Sequence, residues 1–142
     1  MEERFFTSKH AAQIAGCTLR QLQYWRESGV VVPVITETGT GRSIYYSEGN
    51  LVELAAMVDW LSVGFTFEVA REVLKTLKEE YPGVLSDREP KRLIFVKEPQ
   101  EGASKLVEFD VEKVVAAWAE GKFVVPVWLD VIQGRLLQGV KG

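Results

Sequence analysis

The string between Gly16 and Pro33, GCTLRQLQYWRESGVVVP, narrows what this chain can fold into more than any other stretch. Thr18 stands where a helix N-cap belongs, and Gln21 follows three positions later, the spacing of a reciprocal capping box. Gly29 closes the segment as a residue that accepts left-handed geometry. At about 100° per residue, Leu19, Leu22, Trp25 and the stem of Arg26 fall on one side of such a helix. Arg20, Gln21, Tyr24, Glu27 and Ser28 fall on the other, with Gln23 near the boundary. An apolar back and a polar front describe most surface helices, so the flanks carry the argument.

Upstream, Phe6 to Gly16 supplies a cap in Thr7 or Ser8, small apolar residues at Ala11, Ala12 and Ala15, and a terminating glycine. Two helices joined by only Gly16, Cys17 and Thr18 must cross steeply, and the alanines permit the close approach. Downstream, Val30 to Ile35 is β-branched apart from Pro33 and reads as a strand. Residues 36–41 form a flexible tip, and Ser43-Ile44-Tyr45-Tyr46 returns as a second strand. Helix, tight turn, helix and hairpin is the plan of a winged helix-turn-helix, which lays its second helix in the major groove of DNA. On that plan Arg20 and Gln21 meet base edges or phosphates, and Tyr24 donates to a phosphate. Arg42, at the end of the hairpin tip, reaches a phosphate or the minor groove. Lys9, Thr18, Gln23 and Tyr45 complete the set of candidate DNA contacts.

The segment resembles the DNA-binding domain of MerR-type transcriptional regulators, whose second helix has the general form G-V-S-x-R-x-L-R-Y-Y-E-x-x-G-L-L-x-P. Gly16, Thr18, Arg20, Leu22, Tyr24, Trp25, Gly29 and Pro33 occupy the equivalent positions. The family's G-Y-R-x-Y-S wing exit is altered to Gly41-Arg42-Ser43-Ile44-Tyr45-Tyr46-Ser47. The likeness continues through Leu51-Val52-Glu53-Leu54 and Gly64-Phe65-Thr66-Phe67, covering residues 5–80, about half the chain. Gln23 replaces the usual arginine and Arg26 the usual acid. The resemblance implies a DNA-binding regulator working on double-stranded DNA.

Two more helices fit the same scaffold. Ser47 caps a segment with Leu51, Leu54, Ala55, Val58 and Leu61 at helical spacing, ended by Gly64. Thr66 caps the next, with Ala70, Val73, Leu74 and Leu77 facing inward. The resemblance implies a long dimerisation helix next, but Tyr81-Pro82-Gly83 makes helical continuation costly. Residues 84–142 then read as a small α/β module. Leu93–Val96 and Leu106–Phe109 form strands, Asp110 caps a helix carrying Val114, Val115 and Trp118, and an apolar tail follows whose type stays open between strand and helix. The expected class is therefore mainly α: a winged helix-turn-helix over residues 1–81, then an α/β module over 84–142 for dimerisation or for an effector or partner.

Composition sets the remaining bounds. The chain has 142 residues, 46% of them hydrophobic, enough for one standard domain or two small ones. No apolar run approaches the roughly 20 residues of a membrane span, and Met1-Glu2-Glu3-Arg4 does not read as a secretory signal. A single cysteine permits no internal disulfide and fits a cytoplasmic protein. The net charge of −3 weighs against nucleic-acid binding, and residues 1–80 hold eight Lys and Arg against eleven Asp and Glu. Residues 4–46, however, hold five basic residues against only Glu27 and Glu37. A local positive face on an acidic body binds DNA weakly as one copy, which favours a homodimer joined through residues 84–142.

No catalytic constellation is present in the sequence. Gly39-Thr40-Gly41 lacks the Lys-Ser/Thr of a phosphate loop. His10 has no evident partner, Cys17 reads as a packing residue, and Asp87, Glu89, Asp110 and Glu112 are scattered. Neither a cofactor nor a metal is expected, since one cysteine without a histidine or acid cluster does not make a soft-metal sensor. A sequence-specific regulator is the leading reading, with a small-molecule or protein effector left open. An architectural phage or plasmid protein, excisionase-like or small-terminase-like, and a protein-interaction module on the same fold are the alternatives. The purpose of residues 84–142 separates them.

Overall fold

The structure, a computed structural model, describes residues 4–38, 41–86, 91–99 and 104–141. Gly39 and Thr40 of the hairpin tip, the turn residues Gln100 to Gly102, and Asp87 and Glu89 lie outside these ranges, as do Met1 to Glu3. The N-terminal part runs β1 (Phe5–Thr7), α1 (Ser8–Ala15), α2 (Leu19–Glu27), β2 (Val34–Thr38), β3 (Gly41–Ser47), α3 (Glu48–Ser62) and α4 (Phe67–Glu80). After a single 3-10 turn at Val84–Ser86 come β4 (Arg92–Lys97), β5 (Ser104–Glu108), α5 (Val111–Ala119), β6 (Phe123–Trp128) and α6 (Leu129–Lys141).

Each of the first four helices begins at a side-chain cap. Thr7, Thr18, Ser47 and Thr66 accept from the backbone N–H groups of His10, Gln21, Asn50 and Val69, satisfying donors that the helix itself leaves open. α1 stops at Gly16, whose φ of +85° is the left-handed geometry that favours glycine. The central helix is α3. Leu51, Val52, Leu54, Ala55, Ala56, Met57 and Trp60 are all buried around its circumference, as expected of a helix enclosed by neighbours rather than lying on a surface. Those neighbours are α1, α4 and α6.

Two three-stranded antiparallel sheets flank this core, ordered β1-β3-β2 and β5-β4-β6. In the first, Phe6 pairs with Tyr46 and Val34 with Tyr45. The expected strand from Val30 begins four residues later than anticipated. The amides of Val30 and Val31 both donate to the carbonyl of Trp25, at 2.9 and 3.3 Å, so this stretch wraps the end of α2 and buries both valines. In the second sheet, alternate residues separate two cores. Leu93, Phe95, Leu106, Val125 and Val127 join the main core, while Ile94 and Val96 pack under Ala117 of α5.

The apolar tail, whose type the sequence leaves open, is β6 followed by α6, which forms despite Gly134. Leu129, Ile132 and Leu136 enter the same hydrophobic core as α1 and α3, and burying three such side chains is worth about 1.5–3 kcal/mol each. That exceeds the roughly 1 kcal/mol a mid-helix glycine costs. Phe95, Ile132 and Leu136 are therefore used within the chain and are not offered to a partner. The outer edge of β5 is covered by α4: Leu106 N–H donates to Glu80 at 3.3 Å and its carbonyl accepts from the Tyr81 hydroxyl at 3.4 Å. Such side-chain cover blunts an otherwise open sheet edge.

Candidate nucleic-acid interface

The site is built on α2. Its capping box is complete: Thr18 Oγ1 accepts from the Gln21 amide at 3.0 Å, and Gln21 Oε1 accepts from the Thr18 amide at 3.0 Å. The start of the helix is thereby fixed, and its unpaired N–H groups and dipole favour an anion there. Leu22 and Trp25 anchor the back of α2 in the core. Leu19, expected on that buried side, is instead 53% exposed. It is the first residue of the helix, a turn before the buried Leu22.

On the front, Arg20 is exposed and enters no ion pair among the described residues. Gln21 has its carbonyl oxygen committed to the cap, which leaves its NH₂ group to donate. Gln23 donates to Glu27 at 3.0 Å along the helix. Tyr24 is 53% exposed and leans its ring on Phe67 of α4, centroids 5.1 Å apart. Arg71 lies over the other partner of that contact, 5.7 Å from the Phe67 ring centre. Phe67 and Arg71 were not among the sequence-derived candidates, because only the tertiary fold brings the start of α4 to α2. Lys9 is exposed in the first turn of α1 and touches none of these groups among the described residues.

The hairpin stands beside α2 and is tied to it. Arg42 lies on β3 opposite Glu37 of β2, and Tyr45 on β3 faces Thr7 and Val34 on its two neighbours. Tyr45 is exposed while Tyr46 is fully buried, so the two rings brace opposite faces of the sheet. Arg26 Nη1 donates to the Tyr46 hydroxyl at 3.4 Å. Asn50 adds a second tie, donating to the carbonyl of Val32 at 3.1 Å while accepting from the Ser47 amide. Two helices joined by a three-residue turn, followed by an anchored hairpin, form a winged helix-turn-helix.

The model of the MerR HTH family regulatory protein matches residues 6–77. The chain belongs to this family. The MerR match begins in β1 and ends in α4, so it takes in the helix-turn-helix, the wing and the two helices behind them. MerR proteins are DNA-binding transcriptional regulators and not enzymes, and this chain carries their DNA-binding domain. No curated protein matches the chain. The second sheet, α5 and α6 lie beyond the MerR match.

Other groups around the interface have structural surroundings. His10 sets its ring edge-on to Phe6 with centroids 5.4 Å apart. Cys17 packs partly buried against the core, and that burial raises its pKa above the ordinary thiol value, outweighing a backbone hydrogen bond. A protonated thiol is a poor nucleophile and a poor metal ligand. No cluster of three or more His, Cys, Asp or Glu that could hold a metal occurs among the described residues. No described helix is long and apolar enough to cross a membrane. An open groove of about 740 Å³ runs between Ser28–Val30 and α4. Its Arg71, Lys75 and Lys78 alternate with Glu68, Glu72 and Glu79, so it presents no uniform field to an anion.

Proposed function

We propose that this MerR-family chain is a sequence-specific, cytoplasmic transcription regulator that reads double-stranded DNA as a homodimer. α2 enters the major groove with Arg20 and the free NH₂ of Gln21 toward base edges, and Tyr24 donates to a phosphate. The β2–β3 wing places Arg42 on the flanking backbone or minor groove. The observation that carries this reading is the exposed Arg20 at the N-terminus of a fully capped helix whose back is locked by Leu22 and Trp25. A rigid helix presenting a free guanidinium is the form that bidentate guanine recognition needs.

Charge and surface support the homodimer. A chain of net charge −3 with five basic residues across residues 4–46 gains few phosphate contacts per copy, and a second copy doubles them. Where the resemblance implies a long dimerisation helix, α4 ends at Glu80 and a 3-10 turn follows at Val84–Ser86. A different apolar face is open instead, where Val111, Val115 and Trp118 of α5 are 62%, 57% and 63% exposed. A second copy seated there buries three large side chains per protomer. Selection from a randomised DNA pool with the full chain tests the reading. Enrichment of a motif with two related half-sites is expected, and recovery of no motif at low salt would remove it.

A further inference from the structure

Arg135 of α6 links the part of the chain beyond the family match to the turn that aims α2. Its Nη2 donates to the Ala55 carbonyl at 2.9 Å and pairs with Asp59 Oδ1 at 2.7 Å. These two groups lie one turn apart on α3. Its Nη1 lies 3.8 Å from the point that a Cβ on Gly16 would occupy. Gly16 is the left-handed cap of α1, and Gly16 and Cys17 both donate to the Ala12 carbonyl, at 2.9 and 3.1 Å. Thr18, the next residue, is the cap of α2. One guanidinium is therefore held on the central helix by two groups and lies beside Gly16, the first residue of the turn between the two helices of the DNA-binding motif.

We propose that Arg135 is a positioning residue for DNA reading, holding the Gly16–Thr18 turn against α3 and so fixing the orientation of α2. The proposal rests on the DNA-reading role of α2, but its structural half stands apart from that role. The lever is short and stiff. α2 has nine residues, so it is about 13 Å long, and a tilt of about 10° at the turn moves its far end by about 2 Å. Base-edge hydrogen bonds tolerate only a few tenths of an ångström. Small freedom at Gly16 thus costs recognition long before it costs the fold.

The chain contains one cysteine, and it lies in this turn. The rate at which a neutral maleimide modifies Cys17 in the folded full-length protein therefore reports opening of the turn without any DNA. Arg135→Met is expected to raise that rate several-fold and to weaken binding to the selected DNA site by about five- to tenfold, with the thermal transition retained. Asp59→Ala is the sharper test, because it removes a negative charge. Electrostatics alone then demands tighter DNA binding, whereas loss of the anchor demands weaker binding and faster Cys17 modification. Arg135→Lys keeps the charge without the two-pronged reach and is expected to restore neither readout fully. Unchanged thiol rates in Arg135→Met, tighter binding by Asp59→Ala, or complete rescue by lysine would each overturn the proposal. If the natural sequence binds no DNA, the reading of α2 fails while the thiol rates still decide whether the clamp exists.

Discussion

Arg26 donates to the hydroxyl of Tyr46 at 3.4 Å, so α2 and the central strand of the first sheet are bound through a side chain where the resemblance implies an acid. Tyr46 is fully buried and pairs with Phe6 across the sheet. The departure at Arg26 is therefore matched by a local partner. Tyr46→Phe keeps the ring and removes the acceptor. It is expected to cost about 0.5–1.5 kcal/mol of stability, read from urea denaturation of the full chain. A larger loss would mean that the ring had moved as well.

Arg20→Ala tests base reading. A bidentate arginine contact is worth about 1–3 kcal/mol of discrimination, so the variant is expected to lose affinity and to lose preference at one position of the selected motif. Fluorescence anisotropy against single-base variants of that motif checks it. Unaltered affinity and preference in a folded variant would reassign Arg20.

Arg42→Ala tests the wing. Its expected signature is different: weakening on every sequence alike, with the slope of log affinity against log salt reduced by about one. Titrations at several salt concentrations give the slope directly. Loss confined to one sequence would mark Arg42 as a base reader.

Glu53 gives a pH dependence. It is nearly buried between α3 and α4, 3.2 Å from Lys78. Burial raises its pKa above 4.5, more than Lys78 lowers it. A carboxyl whose folded pKa is raised favours folding below the unfolded value, and that contribution is lost as pH rises through the folded value. Glu53→Gln is therefore expected to melt higher than the natural sequence at pH 7, with the difference shrinking as pH falls toward about 4.5. Melting curves across that range decide it, and a variant that melts lower at pH 7 would show that the Lys78 pair outweighs burial.

Trp118→Glu places a charge in the centre of the open α5 face. Sedimentation at micromolar concentration is expected to show the dimer of the natural sequence dissociating, without loss of helical signal. A natural sequence that sediments as a monomer, or a variant that remains dimeric, removes this face from the assembly.

The helices of the MerR part were legible because their ends are written locally. Thr7, Thr18, Ser47 and Thr66 cap them, and Gly16, Gly29 and Gly64 adopt positive φ just beyond them. β1 was not legible, since a three-residue strand exists only through its pairing with β3. α6 was obscured by Gly134, whose local cost is overridden by Leu129, Ile132 and Leu136 packing far from their own segment. At the site, Thr18 and Gln21 could be read as a pair from spacing alone. The contact of Tyr24 with Phe67, and the reach of Arg135 to Gly16, depend on how distant elements pack, which no local pattern encodes.

The enclosure of α3 bears on how this protein can be re-engineered. A chimera joining the DNA-reading half to a foreign module would place its cut after the residues of the family match. Here such a cut would strip α6 from Ala55 and Asp59 and bare the apolar side of α3 that it covers. A working chimera has to carry α6 along with the reading half, or supply a substitute helix of the same shape. α6 follows β6 without an intervening loop, which ties the second sheet directly to the helix that covers α3.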